Sequence, residues 1–163
     1  MHERVVVMGA AGAGKTVVGE TLATRLDARF VDADDLHPST NVAKMRRGTP
    51  LTDADRDPWL GLVAAELGGA PPVIVACSAL ARRYRDRLRD STDRPLWFVH
   101  LDVGRAVLAE RIDARRSHFM PSSLLDDQLA TLEGLAGDEH GLTVDGSLPL
   151  DQVVRTVVRS LRP

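Results

Sequence analysis

Gly9-Ala10-Ala11-Gly12-Ala13-Gly14-Lys15-Thr16 decides the fold. It follows an apolar, β-branched run, Val5-Val6-Val7-Met8, and opens a segment from about Lys15 to Leu26 in which Val18, Leu22 and Leu26 recur at spacing four. The order is therefore strand, loop, amphipathic helix, and the eight residues satisfy G-x-x-x-x-G-K-[ST] in the context that this pattern requires. Three glycines and three alanines let the backbone wrap closely around phosphate oxygens. Successive N–H groups and the helix N-terminus offer partial positive charge, Lys15 reaches the β and γ phosphates, and the Thr16 hydroxyl can ligate Mg²⁺. An ordinary glycine-rich turn would explain the glycines but not Lys-Thr at that register. The stretch points to nucleoside triphosphate binding and is silent about the reaction.

Outward from this loop, further strand-like runs recur at Phe30-Val31, Val73–Ala76, Leu96–Leu101 and Leu142–Val144. Helical patterns lie between them. One follows Asp53-Ala54-Asp55 with Leu60, Val63, Ala64 and Leu67. Another runs from Ala79 to Arg89 with Ser78 as its cap, and a third from Val103 to Arg115 with Asp102 as its cap. The last, Leu150–Leu161, gathers Val153, Val154, Val157, Val158 and Leu161 on one face. Strands alternating with helices predict an α/β three-layer sandwich with a five-stranded parallel sheet and ligands at the carboxyl ends of the strands. The 163 residues suit a single domain spanning 1–163, and Gly68-Gly69-Ala70-Pro71-Pro72 reads as a helix stop, not a linker.

Composition narrows the partners. Twenty-one basic residues stand against 23 acidic ones, a net charge of −2, which argues against non-specific binding to nucleic acid or to an anionic membrane. No apolar run approaches the roughly 20 residues needed to span a bilayer, and the only cysteine, Cys77, has no intrachain partner. The expectation is a cytoplasmic protein. Lys15 and Lys44 are the only lysines in an otherwise arginine-based chain, which marks both as positions wanting a compact ammonium. With so few lysines, the [NT]-K-x-D motif of guanine-reading switches cannot occur. The third strand runs into Cys77-Ser78 and supplies no terminal Asp for a metal.

A carboxylate comes instead from Phe30-Val31-Asp32-Ala33-Asp34-Asp35-Leu36-His37-Pro38 at the exit of strand two. Asp35 reads as the cap of the next helix, whereas alternation at a strand end would aim Asp32 and Asp34 at one rim. Asp32 suits Mg²⁺ through its waters, and Asp34 suits orienting and deprotonating an acceptor hydroxyl.

These segments, with Asn41-Val42-Ala43-Lys44-Met45, Gly48–Leu60, Cys77-Ser78-Ala79-Leu80, Tyr84-Arg85-Asp86, His118-Phe119-Met120, Leu124-Leu125, Gln128 and Thr131-Leu132-Glu133, closely resemble gluconokinases of the thermoresistant type, in register over nearly the whole chain. The resemblance implies ATP-dependent phosphorylation of D-gluconate on its 6-hydroxyl, with ATP and Mg²⁺ as cofactors, in a fold like that of shikimate and nucleoside monophosphate kinases. It also makes a homodimer plausible. Within it, Arg56 is expected to hold the substrate carboxylate, with Lys44 and Arg82 as further candidates. Asp34, His37, Ser78 and Gln128 are expected to meet the polyol hydroxyls. A mobile lid is expected within about 111–125. By resemblance, Arg111 serves the adenine and phosphates and Arg115 the transferring phosphoryl group.

Against these readings stand ordinary ones. Arg82-Arg83-Tyr84-Arg85-Asp86-Arg87-Leu88-Arg89 reads best as a solvated amphipathic helix, Trp59 as core or cleft wall, and Arg116 as a surface ion-pair partner. Ala81, Asp127, Leu129 and Gly134 depart from the residues usual in the family at their positions, lysine in the case of Ala81. A kinase for another small polyol acid such as shikimate, or a non-catalytic ATP-binding module, are the alternatives left open. A nucleic-acid-linked ATPase fits the near-neutral composition poorly.

Overall fold

The computed structural model describes residues 2–115 and 121–162. Five parallel strands, β1 (Arg4–Met8), β2 (Arg29–Asp32), β3 (Val73–Ala76), β4 (Trp97–Asp102) and β5 (Gly141–Asp145), form one sheet in the order β2-β3-β1-β4-β5. The helices are α1 (Lys15–Leu26), α2 (Ser39–Arg46), α3 (Asp53–Gly68), α4 (Arg82–Asp90), α5 (Arg105–Ala114), α6 (Ser122–Thr131) and α7 (Leu150–Leu161), with a short 3-10 turn at Ala33–Leu36.

The continuous apolar run of β1 follows from its place in the middle of the sheet, where both faces are covered. Val5 and Val7 enter one core with Leu22, Val99, Leu101, Val153 and Val157, beneath α1, α5 and α7. Val6 and Met8 enter the other with Trp59, Val63, Val75, Tyr84, Leu88 and Phe98, beneath α3 and α4. The expected sandwich is therefore formed, and its strands end together at the rim where the Gly9–Thr16 loop leaves β1.

Two helix starts differ from expectation. The segment after β3 does not begin a helix at Ala79: Ala79 takes φ +40, α4 starts at Arg82, and Ser78 caps nothing. Likewise α5 starts at Arg105 behind Gly104, not behind Asp102. In the 3-10 turn it is Asp32, not Asp35, that caps, accepting the Asp34 N–H at 3.0 Å. α2 and α6 are helices that the sequence patterns above do not include. Of the expected lid region, α5 and α6 are the described flanks. Arg116 and the His118-Phe119-Met120 run lie outside the described residues.

Candidate active site

The phosphate loop is tied down at three points. Gly9 N–H donates to the Ser78 carbonyl at 3.3 Å, Ala13 N–H to Ala10 at 3.1 Å, and Ala11 N–H to Gln128 Oε1 at 2.8 Å. Among the described residues, the N–H groups of Gly12, Gly14, Lys15 and Thr16 have no backbone acceptor. They are donors left over by the fold at the positive end of α1, the setting in which a polyphosphate binds. Gly12 must be glycine: its φ is +82, and a Cβ would lie 3.0 Å from the Leu108 carbonyl oxygen.

Lys15 Nζ donates to the Ala10 carbonyl at 3.0 Å. Burial pushes the Lys15 pKa down; the carboxylates of Asp34 and Asp32 oppose that shift, and the Arg115 guanidinium adds to it. Two acids and Arg115 thus share the field at this ammonium. The Thr16 hydroxyl lies 2.9 Å from Asp32 Oδ2, donating to it. A hydroxyl and a carboxylate this close, beside the loop's free donors, form the hard oxygen set that Mg²⁺ takes when it also bridges phosphates, so the residues present fit that ion.

A cleft of about 310 Å³ opens beside the loop, walled by Gly12–Gly14, Val17, Arg111, Gly146, Leu148 and Leu150. Arg111 spans it, donating from Nη1 to Gly12 O at 3.2 Å and from Nη2 to Gly146 O at 2.9 Å. Apolar walls crossed by a planar guanidinium suit a flat heterocycle. Gly146, Leu148 and Leu150 were not singled out from the sequence. Their signal was the Asp145-Gly146-Ser147 turn leaving the last strand.

On the other side of Lys15 lies a second group. His37 stacks on Trp59 with ring centroids 4.2 Å apart and planes at 12°. Trp59 is itself buried and donates from Nε1 to the Ala33 carbonyl at 2.6 Å, so it is a core residue on which the His37 ring rests. Burial lowers the His37 pKa, Asp34 opposes this and Arg56 reinforces it, so the ring is neutral at pH 7. Arg56 donates from Nη1 to Leu51 O and to Tyr84 Oη (3.0 Å), with its guanidinium 5.0 Å from the Tyr84 ring centroid. Among the described residues no carboxylate is within ion-pair distance of it. Asp34 is the carboxylate whose field reaches both Lys15 and His37.

Three expected substrate ligands are occupied elsewhere. Lys44 Nζ contacts both oxygens of Asp55, at 2.9 and 2.7 Å, and Asp55 also closes a capping box with Thr52 at the start of α3. Arg82 pairs two-pronged with Asp138 at 2.7 Å on both nitrogens, at the surface. Gln128 spends its carbonyl on the phosphate loop, as above. Ser78 stays near the site, but the structure engages its main-chain carbonyl with Gly9. Lys44 and Arg82 each face a carboxylate within the fold, and Gln128 accepts from the Ala11 N–H donor, so each of the three already has a partner in this structure.

The arginine-rich α4 is exposed as expected on one face only. Arg83, Arg87 and Arg89 pair with Asp53, Asp57 and Asp86, whereas Arg85 is fully buried against Glu139. Arg85 Nη1 also donates to Ala79 O at 3.0 Å and Leu80 O at 3.2 Å. These bonds hold Ala79 in its left-handed conformation, a strained turn imposed from outside. No described helix is long and apolar enough to cross a membrane.

The AAA domain family matches residues 5–135. A gluconokinase of Gluconobacter oxydans is 46% identical over 159 residues, covering 95% of this chain and 89% of that protein. The thermoresistant gluconokinase of Escherichia coli is 37% identical over 166 residues, covering 99% and 94%. A crystal structure of a gluconokinase from Sinorhizobium meliloti superimposes with a TM-score of 0.90 at 47% identity, covering 97% of this chain and 90% of the other. With the phosphate loop, the acidic turn after β2 and the α3 start all inside the matched length, the chain belongs to the gluconokinase family.

Proposed function

We propose that the protein transfers the γ-phosphoryl group of ATP to the 6-hydroxyl of D-gluconate, giving 6-phospho-D-gluconate and ADP. The observation that carries this is the set of charged groups beside the phosphate loop: the Asp34 carboxylate acts on both Lys15 and His37, and His37 also feels Arg56, a cation with no carboxylate partner among the described residues. A carboxylate beside the loop and a guanidinium beyond it match a molecule with a hydroxyl at one end and a carboxylate at the other.

In this reading the nucleotide base occupies the cleft crossed by Arg111, and the loop from Gly9 to Thr16 holds the phosphates. Arg56 fixes the gluconate carboxylate, so the 6-hydroxyl arrives at Asp34. Asp34 accepts the hydroxyl proton as the oxygen attacks, and the departing phosphate charge is met by Lys15 and Arg115. Mg²⁺ held by Thr16 and Asp32 would neutralise charge on the β and γ phosphates. Ser78 supplies a further hydroxyl at the rim of the acceptor side. We further propose that the chain works as a homodimer in the cytoplasm, which light scattering of the purified protein and cell fractionation test.

The deciding assay is ADP release with MgATP, with and without D-gluconate, confirmed by detection of the 6-phosphate. Gluconate-dependent turnover is expected, and Asp34→Asn should lower kcat about 10²- to 10⁴-fold, the usual contribution of a positioned base. No gluconate stimulation would overturn the reading, as would an Asp34→Asn enzyme of undiminished kcat.

A further inference from the structure

We infer that Asn41 is a positioning residue whose amide holds His37 in the tautomer protonated on Nε2, so that His37 meets the acceptor as a hydrogen-bond donor. The inference rests on the functional reading above and assigns a residue that reading does not use. Asn41 lies on α2 and is only 2% exposed. Its Nδ2 is 2.9 Å from the Asp55 carbonyl oxygen and 3.2 Å from His37 Nδ1.

The tautomer follows by exclusion. A main-chain carbonyl can only accept, so the amino end of the Asn41 amide must face Asp55; the flipped amide would set two oxygens against each other. The same amino group then has its second N–H for His37 Nδ1, which must offer a lone pair. The proton of the neutral ring is left on Nε2. The arrangement is braced at both ends. Asp55 is fixed by the capping box with Thr52 and by the Lys44 ammonium, and the imidazole plane is fixed by its stack on Trp59.

The charged groups around the ring agree with this. Asp34 faces it from the 3-10 turn and Arg56 from α3, while Asp55 and Lys44 lie behind Asn41. A second proton on Nδ1 would meet the Asn41 amino group head-on, so the ring stays neutral and its polarity is one-sided. The acceptor cleft then offers a carboxylate at Asp34 and donors at His37 Nε2 and Arg56. It fits a substrate that gives a proton at its reacting hydroxyl and presents oxygen lone pairs beyond it.

The test reads the tautomer directly. Long-range ¹H–¹⁵N spectra of the imidazoles in the full ¹⁵N-labelled chain, without substrate near pH 7.5, are assigned for His37 by loss of its signals in His37→Gln. A protonated Nε2 and an unprotonated Nδ1 are expected, and in Asn41→Ala the two nitrogens should move toward exchange-averaged values. The gluconate KM of Asn41→Ala should rise about tenfold, the cost of one oriented hydrogen bond, with kcat falling by less and the ATP KM unchanged. A protonated Nδ1 in the wild-type ring overturns the inference whatever the fate of the variant. An Asn41→Ala spectrum identical to wild type overturns it equally. A wild-type chain without gluconate turnover would strike the functional reading instead, since the tautomer is read with no substrate present.

Discussion

Glu139→Gln probes the buried ion pair that stands behind the β3 exit. Glu139 and Arg85 are 1% and 0% exposed in their side chains, joined by bonds of 2.8 Å from Arg85 Nε and from Nη2. Arg89 Nη2 and the Ala136 N–H also donate to this carboxylate, at 2.8 and 3.0 Å. Burial alone would push the Glu139 carboxyl up, but the donors from Arg85, Ala136 and Arg89 outweigh it and hold the pKa at about 2 against an ordinary value of 4.5. That gap is worth roughly 3 kcal/mol of stability at neutral pH. Breaking a buried pair by removing one partner costs about 3–5 kcal/mol, an independent route to the same size.

Because the folded-state pKa is depressed, this stability is fully present above pH 4.5 and is lost as pH falls toward 2. The Gln variant has no such group, so the wild-type advantage should be about 3 kcal/mol at pH 7 and about 1 kcal/mol smaller at about pH 3.5. In thermal unfolding it corresponds to a Tm lower by roughly 6–12 °C for a chain of this size. Urea unfolding followed by the fluorescence of Trp59 and Trp97 across this pH range measures both quantities. A variant within about 0.5 kcal/mol of wild type at pH 7, or an advantage that does not narrow on acidification, would refute the reasoning.

Two further outcomes are expected. Gly12→Ala places a methyl 3.0 Å from the Leu108 carbonyl oxygen at φ +82, and should weaken ATP binding at least about tenfold by calorimetry, the price of roughly 1–3 kcal/mol of backbone strain; an unchanged Kd would contradict the loop geometry. Arg56→Ala should raise the gluconate KM about 100-fold through loss of a charged hydrogen bond, whereas Arg82→Ala, which removes only an exposed pair with Asp138, should leave it within about twofold. Equal effects of the two would mean that the carboxylate is held elsewhere.

The phosphate loop was legible because every residue in it answers a local demand. Glycine is required at the positive φ of Gly12, lysine and threonine at the mouth of α1, and a buried β-branched strand before them. The sheet was legible for the same kind of reason, since Val5–Met8 needs apolar cover on both faces. What stayed hidden was long-range. Ser78 looked like a helix cap because nothing near it in sequence reveals that Arg85 bends Ala79 into the left-handed region and that Glu139, 54 positions from Arg85, keeps Arg85 there. The tie between Gln128 Oε1 and the Ala11 N–H stayed hidden for the same reason, since the two lie 117 positions apart.

The choice among the three candidate cations shows what the missing information was. Lys44, Arg56 and Arg82 are equally able to hold a carboxylate, and a sequence gives the donors without saying which are already satisfied. The fold satisfies two of them. It also clears the third: Arg56 follows Asp53-Ala54-Asp55, and either acid could have neutralised it. Asp53 is taken by Arg83 and the Tyr84 hydroxyl, and Asp55 by Lys44 and Thr52. Lys44, one of only two lysines in the chain, engages the Asp55 carboxylate, the acid next to Arg56 in sequence. The guanidinium that remains, oriented by Tyr84 and Leu51 and without a carboxylate partner among the described residues, is the one proposed above to hold the substrate carboxylate.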